Sequence, residues 1–263
     1  MRLVEIVVLI AIALAIAFLI TVGFKYIIPL TSVRKIAEFY LYATYNSFKL
    51  ENYTAMSPEA VTAIVWDFRG LDTLFETSVF YLALIAGLAL TRGLIIERAE
   101  SSGYGLSVIV KTVTRITAPM IVAVGASIAL HGHLTPGGGF QGGSVIAVLP
   151  MVLIVVFSAG FLVLRGVTTS KLIIMRSLGL FGIGLTAIVV FLAGLATSVP
   201  AYVFQNMIKP GTGVSMPSHI SGVLISGTLW FFNLFEMFAV AAGFSIAFIA
   251  LMLAKTLETE KGD

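Results

Sequence analysis

Three groups of residues in this chain have the types and spacing to do chemistry. Glu236 is the single acid between Ser101 and Leu257, set in the run Phe231-Phe232-Asn233-Leu234-Phe235-Glu236-Met237-Phe238. Placing a carboxylate at the centre of a membrane helix costs roughly 2.5 to 3.5 kcal/mol, so such a residue must be protonated, paired or wetted. Asn233 precedes it by three residues, which puts both on one helical face within hydrogen-bonding reach. The pair serves either helix assembly or an ion or proton relay.

The second group is Trp66-Asp67-Phe68-Arg69-Gly70-Leu71-Asp72-Thr73-Leu74-Phe75-Glu76-Thr77. Asp72 and Glu76 are spaced i,i+4 at a helix start, where negative charge favours the helix dipole, and Arg69 can pair with Asp67, Asp72 or Glu76. A plain N-terminal cap explains them. Three acids and one arginine at a membrane boundary also suit cation entry, particularly of Na⁺, a hard ion that prefers oxygen ligands.

The third group is His131-Gly132-His133-Leu134-Thr135-Pro136-Gly137-Gly138-Gly139-Phe140-Gln141-Gly142-Gly143. Gly137, Gly139 and Gly142 satisfy the G-x-G-x-x-G spacing, but a dinucleotide site also needs a preceding strand and a following acid for the ribose, and neither is expected here. No lysine follows as a phosphate loop requires. His131 and His133 point differently, and the third histidine, His219, is distant in sequence, so no metal site is expected. What remains is a glycine turn that lets backbones approach, with two imidazoles at a wet edge where protons pass.

The elements that hold these groups follow from composition. Of 263 residues 59% are hydrophobic and 11% charged, with mean hydropathy +1.05; soluble domains carry about 25% charged residues. The expected fold is all-α, a multi-pass protein of the cell membrane. Spans are expected at about 3–22, 74–92, 113–132, 143–164, 173–197 and 228–254, six in all. The first is too long for a signal peptide and is read as an anchor. The segment from Lys25 to Asp72 is expected to lie at the surface, with a helix starting at Ser57-Pro58-Glu59.

Ten of the sixteen basic residues, Arg2, Arg92, Arg98, Lys111, Arg115, Arg165, Lys171, Arg176, Lys255 and Lys261, fall on one side if both termini are cytoplasmic, so N-in and C-in is expected. The net charge of +3 is read as topology, not nucleic-acid binding. Pro150 is expected to bend or interrupt its helix. Gly179, Gly182 and Gly184, with Gly194, are expected at close helix contacts. Cysteine is absent, so this chain supplies no thiolate to zinc or an iron–sulfur cluster. No catalytic set, metal site or cofactor is expected; the low Asn and Gln content hints at a heat-adapted source.

Residues 131–143 with the following apolar helix, together with Phe232-Asn233-Leu234-Phe235-Glu236, resemble the MnhB family. This is the B (MrpB) subunit of Mrp-type multisubunit cation/proton antiporters, and the resemblance covers about residues 106–254. Separately, Asp67 to Glu76 resembles the D-F-R-G-F-D-T-L-G-E element of the large Mrp A subunit, with Leu71 and Phe75 in place of its Phe and Gly. In archaeal membrane-bound hydrogenases that element lies in a small subunit, MbhE. The resemblance thus implies two parts: residues 1–100, an MbhE-like two-helix segment with a long polar loop, and residues 101–263, a four-helix MnhB-like domain.

It further implies a non-redox subunit of an Mrp-type Na⁺/H⁺ antiporter module in a ferredoxin-linked respiratory complex of the archaeal hydrogenase or sulfane sulfur reductase kind. Implied partners are other small Mrp-like membrane subunits and hydrogenase-like redox subunits. The candidates for the ion and proton path are Asp67, Arg69, Asp72, Glu76, His131, His133, Asn233 and Glu236. Alternatives are a purely structural subunit docking antiporter and redox modules, or a subunit of a free-standing Mrp antiporter. A self-sufficient transporter fits less well, since no inverted repeat is evident.

Overall fold

Long apolar runs in a bilayer must satisfy their own backbone hydrogen bonds, which makes helix the default, and breaks fall where polar caps stop them. The computed structural model describes residues 3–27, 33–45, 52–90 and 106–260. In chain order it shows α1 (Leu3–Ile27), α2 (Lys35–Tyr45), and α3 (Ala60–Thr62) running into a π-helical turn (Ala63–Phe68). Then follow α4 (Gly70–Leu90), α5 (Val108–Leu130), α6 (Gly139–Phe157), α7 (Ala159–Leu164) and α8 (Thr169–Thr197). Two-residue strands β1 (His219–Ile220) and β2 (Val223–Leu224) pair antiparallel before α9 (Thr228–Glu260). Among the described residues α4, α5, α6, α8 and α9 are long and apolar enough to cross a membrane. The protein is an all-α, multi-pass membrane protein. In α1 the apolar stretch is the shorter Val7–Gly23.

The helix starts are capped as their sequences dictate. Glu59 accepts from the Thr62 N–H, Ser107 from Val110 and Thr168 from Lys171, each satisfying one of the orphan donors of a first turn. Because α8 starts at Thr169, Arg176 lies two turns inside it rather than at a cytoplasmic helix end. Arg2, Arg92, Arg98 and Lys261 of the orientation count, and the expected boundary near residue 100, lie outside the described residues. At Pro150 α6 continues unbroken; the interruption falls at Ser158, whose φ of 117° separates α6 from α7.

The chain divides into two units, Met1–Phe39, which carries α1, and Tyr40–Asp263. In the second unit α9 packs against α6 and α8, α5 lies on α6, and α4 contacts α8 and α9. Lipid supplies no hydrophobic force between helices, so close packing must hold them, and small residues allow it. A Cβ at Gly142 would collide with the Gly125 carbonyl of α5 and sit 2.7 Å from the Ala129 Cβ. Gly179 and Gly182 meet α9 in the same way, whereas Gly184 faces open space.

The segment 52–68 does not lie at the surface as expected. Ala55, Ser57, Ala63 and Trp66 are fully buried, because this segment is tied to the ends of the spans. Thr62 Oγ1 donates to the Gly132 carbonyl at 2.7 Å, Ser57 Oγ to the His133 carbonyl at 2.7 Å, and Asn206 Nδ2 to the Ala55 carbonyl at 2.9 Å. Trp66 stacks on Phe232 with centroids 4.4 Å apart, in a core with Ile183, Ala187 and Leu229. Segment 52–68, the 131–138 turn and the 198–227 loop therefore gather at one end of the bundle.

Candidate functional site

Helical spacing builds the site. Thr73, Glu76, Thr77 and Phe80 follow at i, i+3, i+4 and i+7 on α4, and Asn233, Glu236, Val240 and Phe244 line one face of α9. These two faces, with Thr62 and Trp66, and Gly137, Gly138, Phe140 and Gln141 at the head of α6, enclose a cavity of about 330 Å³. Glu76 is six residues into α4 and Glu236 eight into α9, about 9 and 12 Å from their helix starts. Both carboxylates thus lie about two turns inside their helices.

The glycine turn and the lone glutamate are one structure. Gly139 opens α6, donates its N–H to Asn233 Oδ1 at 3.3 Å, and has no room for a side chain. A Cβ there would lie 2.6 Å from the Glu236 Cβ and 2.7 Å from its Oε2. Gly137 and Gly138 reach this position with φ of 146° and 153°, in the region that disfavours side chains. The missing Cβ lets the Glu236 carboxylate sit at the N-terminus of α6, where the helix dipole favours negative charge. The Phe140 N–H and the Trp66 indole N–H face that carboxylate, although the indole makes no hydrogen bond of full geometry. Asn233 Nδ2 is likewise buried without a partner.

Oxygen atoms complete the lining. Thr62 spends its hydroxyl proton on Gly132, Thr73 on the Val65 carbonyl at 2.6 Å and Thr77 on the Thr73 carbonyl at 2.8 Å. Their lone pairs stay free for a cation or water. The Val65 carbonyl is available because residues 63–68 form a π-helical turn, in which Arg69 N–H bonds to Ile64; such turns recur at functional sites. Two carboxylates, three hydroxyls and the Gln141 amide offer oxygen to a hard cation, whereas the unpartnered atom of Asn233 is its Nδ2, a donor suited to water or a carboxylate.

Of the residues singled out in the sequence, Glu76, Asn233 and Glu236 meet at this cavity. Glu76 is exposed at its rim, while Glu236 is buried. Arg69 pairs with Asp72 at 2.5 Å, both about 60% exposed (62% and 60%), an arrangement typically worth under about 1 kcal/mol. Asp67 does not line the cavity. Its side chain is fully buried and accepts from Lys209 Nζ at 2.7 Å, with Oδ1 left unpartnered. Burial raises the Asp67 carboxyl above the ordinary aspartate value, and the nearby Lys209 ammonium partly opposes the shift.

The histidines also lie off the cavity lining. His131 is exposed and donates through Nδ1 to the Ser127 carbonyl at 3.1 Å. His133 is buried and donates through Nε2 to the Leu224 carbonyl at 2.9 Å, which leaves Nδ1 deprotonated and unpartnered. Burial holds its imidazole below the usual value, opposed by that hydrogen bond and helped by His131. His133 is a neutral lock between the turn and the β1–β2 hairpin.

Sequence reasoning missed Thr62, Lys209 and Arg176, and gave Trp66 and Gln141 only as members of their runs, with no role. Most carry no local signal, since loops distant in sequence bring them in. Arg176 did carry one: a guanidinium flanked by apolar residues, counted there as a topology charge. It is fully buried, donates through Nη1 to the Ala239 carbonyl at 2.6 Å, and lies 4.4 Å over the Phe80 ring and 5.3 Å over Tyr81.

Known proteins place this geometry in context. The chain is similar to a subunit in the structure of the membrane-bound sulfane sulfur reductase, an archaeal respiratory membrane complex, at 25% identity and a TM-score of 0.62. That match covers 94% of this chain and 97% of the other. A chain of the Mrp complex from Dietzia sp. DQ12-45-1b shares the fold, with TM-score 0.60 and 17% identity over 95% of this chain and 26% of that one. An uncharacterised protein of Methanocaldococcus jannaschii is 29% identical over 130 residues, 43% of this chain; the chain covers about half, 49%, of that relative. Residues 109–246, more than half the chain, match the domain related to the MnhB subunit of Na⁺/H⁺ antiporters, and the protein that carries Glu236 against the α6 glycine turn belongs to that family.

Proposed function

We propose that this protein is a non-redox membrane subunit of an Mrp-type Na⁺/H⁺ antiporter module and that the Glu76–Glu236 cavity is its part of the cation and proton path. The observation that carries the proposal is the meeting of two carboxylates from different spans in one cavity, where threonine hydroxyls and the Gln141 amide stand among mostly apolar side chains, in a chain of the MnhB family. Asn233 orients the α6 N-terminus, and the threonine hydroxyls and Gln141 offer ligands to a partly dehydrated Na⁺. Arg69 and Asp72 are exposed at the same end of the bundle, with Asp67 buried beside them on Lys209, and His131 is exposed there as a further candidate for the path.

The near-full mutual coverage with the sulfane sulfur reductase subunit supports a place in a respiratory complex whose redox chemistry resides in other subunits. The MbhE-like residues 1–100 and the MnhB-like residues 101–263 would then be two ancestral parts of one chain. Both termini face the cytoplasm in this reading.

Substituting Glu236→Gln or Glu76→Gln in the assembled complex, with Na⁺-dependent proton exchange measured in proteoliposomes, tests the function. Exchange falls at least tenfold if the carboxylates carry the ion. Unchanged exchange in a normally assembled complex overturns the path. Loss of assembly in place of transport would favour the docking role.

A further inference from the structure

At the end of the bundle away from the cavity, two arginines share one pair of rings. Phe157 closes α6 and Phe161 lies in α7, past the break at Ser158, and their rings stack with centroids 4.5 Å apart. The Arg115 guanidinium of α5 lies 5.8 Å from the Phe157 centroid, and that of Arg165, just after α7, lies 5.3 Å from the Phe161 centroid. Both distances are within the range of a cation–π contact. The Leu106 N–H, bonded to the Val156 carbonyl at 3.3 Å, ties the entry of α5 to the end of α6. Gly139 and Phe157 are the two ends of α6, about 27 Å apart, so this row is separate from the carboxylate cavity.

Among the described residues no acid meets these two charges. Both arginines are exposed, the single acid from Ser101 to Leu257 is Glu236 beside Gly139, and the ion pairs are Arg69–Asp72 and Lys209–Asp67. Lys111 precedes Arg115 by one helical turn, and Lys171 Nζ comes within 3.3 Å of where a Cβ on Gly166 would stand, next to Arg165. Apolar side chains flank the row, with Ile116 61%, Val155 61% and Leu164 83% exposed. A charge that serves only to orient the chain needs no fixed position. Rings that hold two guanidiniums in place beside open apolar surface present donor forks where the headgroups of a bilayer meet its acyl chains. Phosphate accepts such forks bidentately.

We propose that the Arg115–Phe157–Phe161–Arg165 row binds the phosphate headgroups of anionic membrane lipids, whose acyl chains lie along the exposed apolar side chains of α5 and α6. The guanidiniums donate to phosphate oxygens, the two rings fix where they stand, and the Lys111 and Lys171 ammonium groups add to the attraction. The proposal is independent of the ion path through the Glu76–Glu236 cavity.

Photo-crosslinking of the assembled complex in proteoliposomes tests it, with a diazirine-bearing phosphatidylglycerol as the probe and peptide mapping of the adducts. Adducts are expected on residues 106–120 and 151–165, competed by unlabelled phosphatidylglycerol and by neither phosphatidylcholine nor millimolar inorganic phosphate. Arg115→Gln/Arg165→Gln lowers them about tenfold, while adducts elsewhere in the complex stay at the wild-type level. Phe157→Leu/Phe161→Leu keeps both charges, removes the platform and lowers the same adducts several-fold; that variant decides the matter if the arginine variant does not assemble. Equal competition by phosphatidylcholine, displacement by inorganic phosphate, or wild-type labelling in either double variant overturns the proposal.

Discussion

At the scale of single residues, buried polar groups are held by specific partners, and removing one partner is the informative perturbation. Lys209→Met leaves Asp67 as an unpaired, fully buried acid, and loss of about 3 to 5 kcal/mol is expected in the thermal or denaturant stability of the purified complex. Asp67→Asn with Lys209→Met costs less, since no uncompensated charge remains. His133 gives a pH signature. Its imidazole is held below the ordinary value of 6.5 in the folded chain, so the unfolded chain binds that proton more tightly. Its contribution to stability is present above about pH 6.5 and is lost as the pH falls below it. A melting temperature that declines on acidification through this window in wild type, and less in His133→Gln, is the expected result.

Residue types made Glu236 legible in the sequence because an isolated acid in an aromatic run has few uses. They did not reveal that Trp66 and Phe140 would face it. Those contacts depend on where two other segments end, which no local pattern encodes.

At the scale of elements, helix contacts are set by which glycines face a neighbour. Gly142→Ala places a methyl against the Gly125 carbonyl and the Ala129 side chain. About 1 to 3 kcal/mol of overpacking strain is expected, read as a lowered melting temperature in mild detergent. Gly184→Ala meets nothing within 4 Å, so it is neutral or gains up to about 1 kcal/mol from helix propensity. The sequence offered Gly182 and Gly184 as equivalents, because composition counts glycines without stating their direction. It also placed the weakness of the fourth span at Pro150, while the break falls at Ser158. Proline removes one donor, and its neighbours accommodate that loss without ending the helix.

At the scale of the whole molecule, the turn 131–138, segment 52–68 and loop 198–227 share one end of the bundle, held by hydrogen bonds between distant segments. The chain has no cysteine, so single-cysteine variants report sidedness directly. Tyr202→Cys and Lys171→Cys are expected to react with a membrane-impermeant thiol reagent from opposite faces, Tyr202→Cys from outside. Labelling of both from one face would contradict the bundle.

Unbroken apolar runs and scarce charge determined that this is a multi-pass helical protein, because a continuous apolar run of about 20 residues satisfies its backbone in lipid as a helix. Residue identity also marked the acids and the glycine turn as separate features. Only the tertiary structure decided that Gly139 makes room for Glu236, that Glu76 shares its cavity, and that Arg176 lies behind Phe80. Helical periodicity fixes which residues share a face, whereas the partner of that face is set by packing between spans far apart in sequence.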